Sequence, residues 1–246
     1  MLFFMKLITS AQNSLIKHLL KLQKDSSYRK ECQSIFLEGR KIVEEAFLHF
    51  KVKNCVLEQG LITEHPATFL SSALIQKISN LKSSEGYFLE IERPSDQSLE
   101  GLEKILVLDR LQNPGNMGTL IRTALAFGYE GIFILDDSVD PYSPKVLRAS
   151  MGASLYVPIY QGSQEELTEL AEKNKMDVFI ADAKGDPLNK NAIKTPFMLV
   201  LGNESTGSQL NSDSDFKKIS LPIENVDSLN VAIAGSLLMY LMGNPS

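Results

Sequence analysis

Apolar side chains in residues 13–24 recur at Leu15, Ile16, Leu19, Leu20 and Leu22, the three-and-four spacing of one helical face. The spacing predicts a helix starting after Asn13 or Ser14. Phe36-Leu37, followed by Gly39 and a periodic stretch over 41–50, predicts a short strand or turn feeding a second helix. Further along, the pattern predicts a strand over 52–57, a helix over 67–78 and a strand over 87–91. Together these make a small α/β unit.

Beyond residue 104 the pattern changes. Near-continuous apolar runs at 105–108, 131–135, 155–157, 178–180, 197–201 and 218–221 predict strands covered on both faces, separated by helical spacing. Such runs belong to a mainly parallel sheet with crossover helices. The polar segment Arg93-Pro94-Ser95-Asp96-Gln97-Ser98 separates the two regions, and Pro94 disfavours a helix through it. The expected organisation is a small α/β domain over 1–94, a linker over 95–103 and a parallel-sheet domain over 104–246.

Two apolar stretches raise the question of a membrane. Met1-Leu2-Phe3-Phe4-Met5 is cut short by Lys6 and carries no cleavage pattern, so it reads as an ordinary start. Residues 228–246 hold no charge, but their dense apolar core over 231–242 is too short to cross a hydrocarbon layer and reads as a buried helix.

Composition narrows the function classes. A chain of 246 residues, 43% hydrophobic and 22% charged, can bury a substantial core. Its formal charge of −5 excludes a uniformly basic coat that would hold nucleic acid by charge alone. The charge is uneven, with 12 basic against 9 acidic side chains through Glu90 and 13 against 21 beyond it. The N-terminal part is therefore the better candidate for meeting a polyanion, although patches of this size also serve as plain solvated surface. Cys32 and Cys55 are the two cysteines, too few for a disulfide scaffold or a Cys-rich zinc site, and a reducing cytoplasm fits best.

Three segments at predicted strand ends carry candidate chemistry. In Asn113-Pro114-Gly115-Asn116-Met117-Gly118, glycine admits unusual backbone angles or close ligand approach, and asparagine presents both donor and acceptor. The spacing matches neither a dinucleotide-binding nor an NTPase loop. On the helix that follows, Met117, Leu120, Ile121, Ala124 and Gly128 share a face and leave Arg122 off it, with its head directed back over the Asn116 loop. An exposed arginine there ordinarily only solubilises; beside an Asn/Gly loop it is also a fork for a phosphate or a polarised hydroxyl. In Gly202-Asn203-Glu204-Ser205-Thr206-Gly207, Gly202 lets backbone approach a ligand and Glu204 caps a following helix or fixes a loop or substrate group. The third segment joins Leu221-Pro222-Ile223 to Asp227-Ser228-Leu229-Asn230-Val231, where Ser228 is the expected N-cap of the last helix. Asn230 needs hydrogen-bond partners in so apolar a run. Three such strand ends on one sheet imply a ligand crevice. No Gly-x-Ser-x-Gly elbow and no metal-ligand spacing is present.

Taken together, Asn113-x-Gly115-Asn116-x-Gly118-x-x-x-Arg122, Gly202-Asn203-Glu204-x-x-Gly207 and Leu221-Pro222-Ile223 with Ser228-Leu229-Asn230-Val231 resemble the three motifs of the SpoU (TrmH) RNA ribose 2'-O-methyltransferases of the SPOUT class. Residues 105–242 carry this resemblance closely. Residues 14–91, with Phe36-Leu37-Glu38-Gly39-Arg40, resemble more loosely a ribosomal-protein-like RNA-binding domain. The resemblance implies a deep trefoil knot, a homodimer formed through the C-terminal domain, structured RNA as partner and S-adenosyl-L-methionine as methyl donor, with no metal. It further implies catalytic surroundings from Arg122, Asn116, Glu204, Ser228 and Asn230, and cofactor contacts at Gly202, Leu221 and Leu229. Ile223, Asn225 and Ser205 depart from the residues usual in those motifs. The implied activity is RNA 2'-O-methylation, with 23S ribosomal RNA favoured; the alternatives are a transfer-RNA enzyme and an inactive RNA-binding homologue.

Overall fold

A computed structural model describes residues 6–210 and 216–243, so Met1–Met5 lie outside the described residues. The chain divides into two compact units, one holding the residues up to Pro94 with Tyr142–Pro144, the other Ser95–Pro141 and Lys145 onward.

In the first unit, strands β1 (Lys6–Ile8), β2 (Ser34–Glu38), β3 (Val52–Glu58), β4 (Thr68–Leu70) and β5 (Tyr87–Glu92) form one sheet in the order β1-β4-β3-β5-β2. β4 runs parallel to β1 and β3, while β5 is antiparallel to β2 and β3. Helix α1 (Ser14–Lys24) starts where the pattern placed it, because the Asn13 side chain accepts from Leu15 N–H at 2.9 Å. Ile16, Leu19 and Leu22 of its apolar face join Phe36, Val56 and Phe88 of the sheet and Leu74 and Ile75 of α4 (Ser72–Ile78) in one core. Two further helices, α2 (Ser26–Cys32) and α3 (Arg40–His49), complete the unit.

The helix expected over 67–78 is shorter than its pattern. Thr68-Phe69-Leu70 is strand β4 instead, wedged between β1 and β3, and only Ser72–Ile78 is helical. Pairing on both sides supplies the backbone hydrogen bonds of that tripeptide, which local spacing does not reveal.

The second unit is built on β6 (Lys104–Leu108), β7 (Gly131–Leu135), β8 (Ile159–Gly162), β9 (Asp177–Pro187), β10 (Phe197–Leu201) and β11 (Lys217–Ser220). Their order is β11-β9-β10-β6-β7-β8, and every neighbouring pair is parallel. β7 and β10 are buried at every position, which accounts for their unbroken apolar runs. Helices α5 (Pro114–Ala126), α6 (Pro144–Ala149), α7 (Gln164–Lys173) and α8 (Val231–Gly243) accompany the sheet. α7 opens on a capping box between Ser163 and Glu166. Residues 95–103, read from sequence as the connection, fold onto this unit: Leu99 is buried in its core and its carbonyl accepts from Asn174.

The strand expected over 155–157 is displaced. Ala153–Leu155 is a 3-10 turn following Gly152 at φ 83°, and β8 begins only after Pro158, which has no N–H to give a ladder. From β6 the sheet grows outward through β7 to β8, whereas the later strands fill the other side. The carboxyl ends of the neighbouring strands β6 and β10 therefore lie at the point where direction reverses, the usual place for a crevice in an open α/β sheet, while β11 is the edge strand beyond β9.

Candidate active site

The first segment begins α5. Asn113 is its N-cap, its side chain accepting from Gly115 N–H at 2.8 Å and Asn116 N–H at 3.3 Å, with Pro114 at the first helical position. Met117, Leu120, Ile121 and Ala124 are buried as their spacing implied, while Gly128 lies beyond the helix and is exposed. Gly118 does not line a ligand loop. It lies inside α5, where an added Cβ would stand 2.5 Å from Ala149 Cβ and 2.8 Å from Ser150 N and Val146 O, so its role is close packing against the α6 region.

The second segment leaves β10 as a tight turn, and Glu204 caps no helix among the described residues. Asn203 and Gly207 exchange backbone hydrogen bonds at 2.9 and 3.2 Å, and Gly207 takes φ +69°. Inside the turn, Asn203 Oδ1 accepts from Ser205 N–H at 2.9 Å and Thr206 N–H at 3.2 Å. Gly202 is pressed against the returning chain so tightly that a Cβ would stand 2.1 Å from Ser208 N.

Residues not singled out from sequence tie this turn to the end of β6. Asp109 is buried, and its Oδ2 accepts from Ser208 Oγ at 2.8 Å and Gln209 N–H at 3.0 Å. Arg110, at φ 52°, pairs with Asp109 through Nε at 2.9 Å, and its carbonyl accepts from Asn203 Nδ2 at 3.0 Å. The legible signal was a charged pair directly following an apolar strand.

The third segment changes one expectation. Asn230, not Ser228, caps α8, with Oδ1 accepting from Ala232 N–H at 2.9 Å. Asn230 is exposed, so the burial implied by its apolar run is not met, and its partners serve the cap and the neighbouring loop instead. The same amide donates from Nδ2 to Asn116 Oδ1 at 3.2 Å, and Asn116 donates from Nδ2 to Glu204 Oε1 at 2.8 Å. One hydrogen-bonded chain thus joins all three segments. Its direction is determined at both ends, since a carboxylate only accepts and a helix N–H only donates.

A cavity of about 620 Å³ lies beside this chain, lined by the Gly202–Ser208 turn, by Ser220, Leu221 and Ile223, and by Ser228, Leu229 and Val231. Ser228 lines it without capping anything. Charged groups that sequence did not flag stand at its wall: Lys218 pairs with Asp182 at 3.1 Å. The Lys184 backbone N–H, aided by the Lys218 ammonium, holds the Asp182 carboxyl below the ordinary aspartate range against the opposing effect of its partial burial. Arg122 stands apart. It is exposed, makes no hydrogen bond or ion pair with a described residue of its own chain and is not among the residues lining the cavity. Six positions of α-helix separate it from Asn116, which turns the two side chains onto different faces. Among the described residues there is no cluster of three or more His, Cys, Asp or Glu able to hold a metal ion.

The SpoU rRNA Methylase family profile matches residues 103–240. An uncharacterized tRNA/rRNA methyltransferase of Synechocystis is 33% identical, covering 95% of this chain and 92% of that protein. The 23S rRNA (guanosine(2553)-2'-O)-methyltransferase RlmP of Bacillus subtilis is 29% identical over 96% of this chain and 98% of its own length. Among solved structures, an AdoMet-bound rRNA methyltransferase from Sinorhizobium meliloti superposes with a TM-score of 0.82 at 26% identity, covering 97% of both chains. Three motif loops meeting at one crevice of a parallel sheet, and a family profile spanning that whole sheet, establish that the chain belongs to the SpoU rRNA Methylase family and is an α/β methyltransferase of the SPOUT type.

Proposed function

We propose that the protein transfers a methyl group from S-adenosyl-L-methionine to a ribose 2'-hydroxyl of RNA, with 23S ribosomal RNA as substrate. The observation that carries this reading is the Glu204–Asn116–Asn230 chain at the rim of the 620 Å³ cavity. A cavity of that size lies within the range of about 300–1,000 Å³ for small-ligand sites. Its lining also fits the donor: Leu221, Ile223, Leu229 and Val231 offer apolar walls for a flat base, and the close-packed turn at Gly202 brings backbone donors and acceptors to the wall. When bound, S-adenosyl-L-methionine supplies an electrophilic methyl group on a sulfonium.

The chain's own residues would then orient and exclude. Gly202, Leu221 and Leu229 hold the cofactor through backbone groups and apolar contact. Asn116, Glu204, Ser228 and Asn230 form the surroundings of the reacting ribose, with Glu204 available to accept from a sugar hydroxyl. Arg122 would stabilise negative charge developing on the 2'-oxygen as the O–CH3 bond forms and the S–CH3 bond breaks, its electron pair staying on sulfur in the departing S-adenosylhomocysteine, while the hydroxyl proton leaves to phosphate or water. Arginine titrates above about 12 and is a poor literal base, so charge stabilisation and alignment are its assigned work.

Because Arg122 lies outside its own chain's cavity, the proposal includes a homodimer in which Arg122 serves the partner's site. Ile233, Leu237 and Tyr240 support that reading as an exposed stripe along α8. The knotted threading of the C-terminal chain and a cytoplasmic location belong to the same proposal. No described helix is long and apolar enough to cross a membrane.

The test is transfer of labelled methyl from S-adenosyl-L-methionine to transcribed 23S ribosomal RNA, with the product mapped by resistance to alkaline cleavage. Methylation of transfer RNA alone would replace the substrate, and binding of RNA without titratable S-adenosyl-L-methionine would mark a binding-only homologue. Arg122→Lys keeps the charge but loses the planar fork. A single-turnover rate near wild type with an unchanged pH profile would remove Arg122 from the mechanism.

A further inference from the structure

The first unit holds a second cavity, of about 380 Å³, between α3 and the loop joining β3 to β4. Its floor is Val43, Cys55 and Leu57, with Cys55 and Leu57 on β3, and its rim carries Arg40, Phe47 and Tyr87. Burial pushes the Cys55 thiol up to about 11, so the floor remains protonated and uncharged at neutral pH. Over one face of Phe47 lies the His65 ring, with centroids 3.7 Å apart and planes 8° from parallel. That is the spacing of two stacked flat rings, and Phe47 therefore presents a face that accepts a planar heteroaromatic group. The His65 ring makes no side-chain hydrogen bond with a described residue, and its loop carries Ile62 at 91% exposure.

We propose that this cavity is a subsite for one unpaired RNA nucleobase, which stacks on Phe47 in the place the His65 ring occupies in the free chain. The inference rests on the RNA reading above and assigns it a contact in the first unit. Arg40 supplies the adjoining cation: its guanidinium lies 5.8 Å from the Tyr87 ring centre, and its pairing with Glu44 at 2.7 Å is exposed and so easily exchanged for a phosphate. Glu64, also at the cavity, is an acceptor for an exocyclic amine. At the cavity Arg40 stands with Glu44 and Glu64, and the first ninety residues as a whole carry 12 basic against 9 acidic side chains, an excess that favours a polyanion over a neutral aromatic ligand.

The protein contains no tryptophan, so Phe47→Trp introduces a single indole reporter into the full chain. Leu48→Trp, at a neighbouring position that is 78% exposed, is its control. Fluorescein-labelled 23S ribosomal RNA made by transcription is the probe, and anisotropy reports binding separately from indole emission. The expected result is quenching at position 47 but not at 48, with Phe47→Leu weakening binding at least about fivefold, the low end of one base–aromatic stack. His65→Ala should bind at least as tightly as the parent, since the competing ring is gone. RNA bound with equal or no quenching at the two positions and no loss in Phe47→Leu overturns the subsite while leaving the RNA reading intact. Weaker binding by His65→Ala overturns the displacement. No binding by the parent chain overturns the RNA reading itself, and the subsite with it.

Discussion

Asn230 combines two duties in one amide: its oxygen caps α8 and its nitrogen donates to Asn116. Two substitutions separate them. Asn230→Ala removes both and should cost about 1 kcal/mol in urea unfolding, the usual loss of a side-chain cap, together with methyl transfer. Asn230→Asp keeps the cap, since aspartate serves there as well, but turns a donor into an acceptor facing the Asn116 carbonyl. It should unfold within about 0.5 kcal/mol of the parent while its single-turnover rate falls on the order of tenfold or more, because the three loops lose their alignment. Equal rates for Asn230→Asp and the parent would show that the hydrogen-bonded chain only holds the fold. The apolar neighbours of Asn230 implied a buried amide in need of partners, whereas the residue is exposed at the start of α8. Its identity as the cap was not legible, because Ser228 has the same chemistry two residues earlier and the helix start is decided by packing of Ala232 and Gly235 against the body of the unit.

At the level of elements, two glycines of the motifs act for different reasons. Gly202 permits the β10 turn to close on itself, and Gly202→Ala would drive a methyl into backbone atoms 2.1 and 2.3 Å away. Backbone cannot swing aside as a side chain does, so the turn must open. S-adenosyl-L-methionine affinity by calorimetry should fall at least about tenfold, as expected when about 1.4 kcal/mol or more is lost. Gly118→Ala poses a contest within α5. Alanine gains about 1 kcal/mol of helix propensity, but the new methyl overpacks a site with three neighbours under 3.0 Å, costing about 1–3 kcal/mol. Net destabilisation in urea is expected, and a more stable variant would remove the packing assignment. Asp109→Asn tests the buried anchor beneath the turn. Loss of its pairing with Arg110 and mismatch with Ser208 Oγ or Gln209 N–H should cost about 1–3 kcal/mol and loosen the β10 turn.

For the whole molecule, the α8 stripe predicts self-association: Leu237→Asp should lower the mass measured by sedimentation and abolish methyl transfer while leaving S-adenosyl-L-methionine binding to the chain's own cavity. A monomeric parent with full activity would contradict it. Stability should also depend on acid through Glu90. Burial alone would raise this carboxyl, yet hydrogen bonds from Ser34, Asn54 and His18 outweigh burial and hold it below the ordinary glutamate range. Folding therefore favours the ionised form. The resulting stability is present above the unfolded value of about 4.3 and is lost as pH falls through the lower folded value. Glu90→Gln should flatten the unfolding free energy across that acid window. From the sequence alone came the alternation of helices and strands, the change from a small mixed unit to a parallel sheet and the polar residues of the three motifs, because each is written in local spacing and residue chemistry. Tertiary structure alone decided that Thr68-Phe69-Leu70 pairs as a strand, that Asp109 and Arg110 anchor the β10 turn and that Arg122 lies away from its own cavity. Those outcomes depend on hydrogen bonds and contacts between residues distant in the chain, whose energies no local pattern contains.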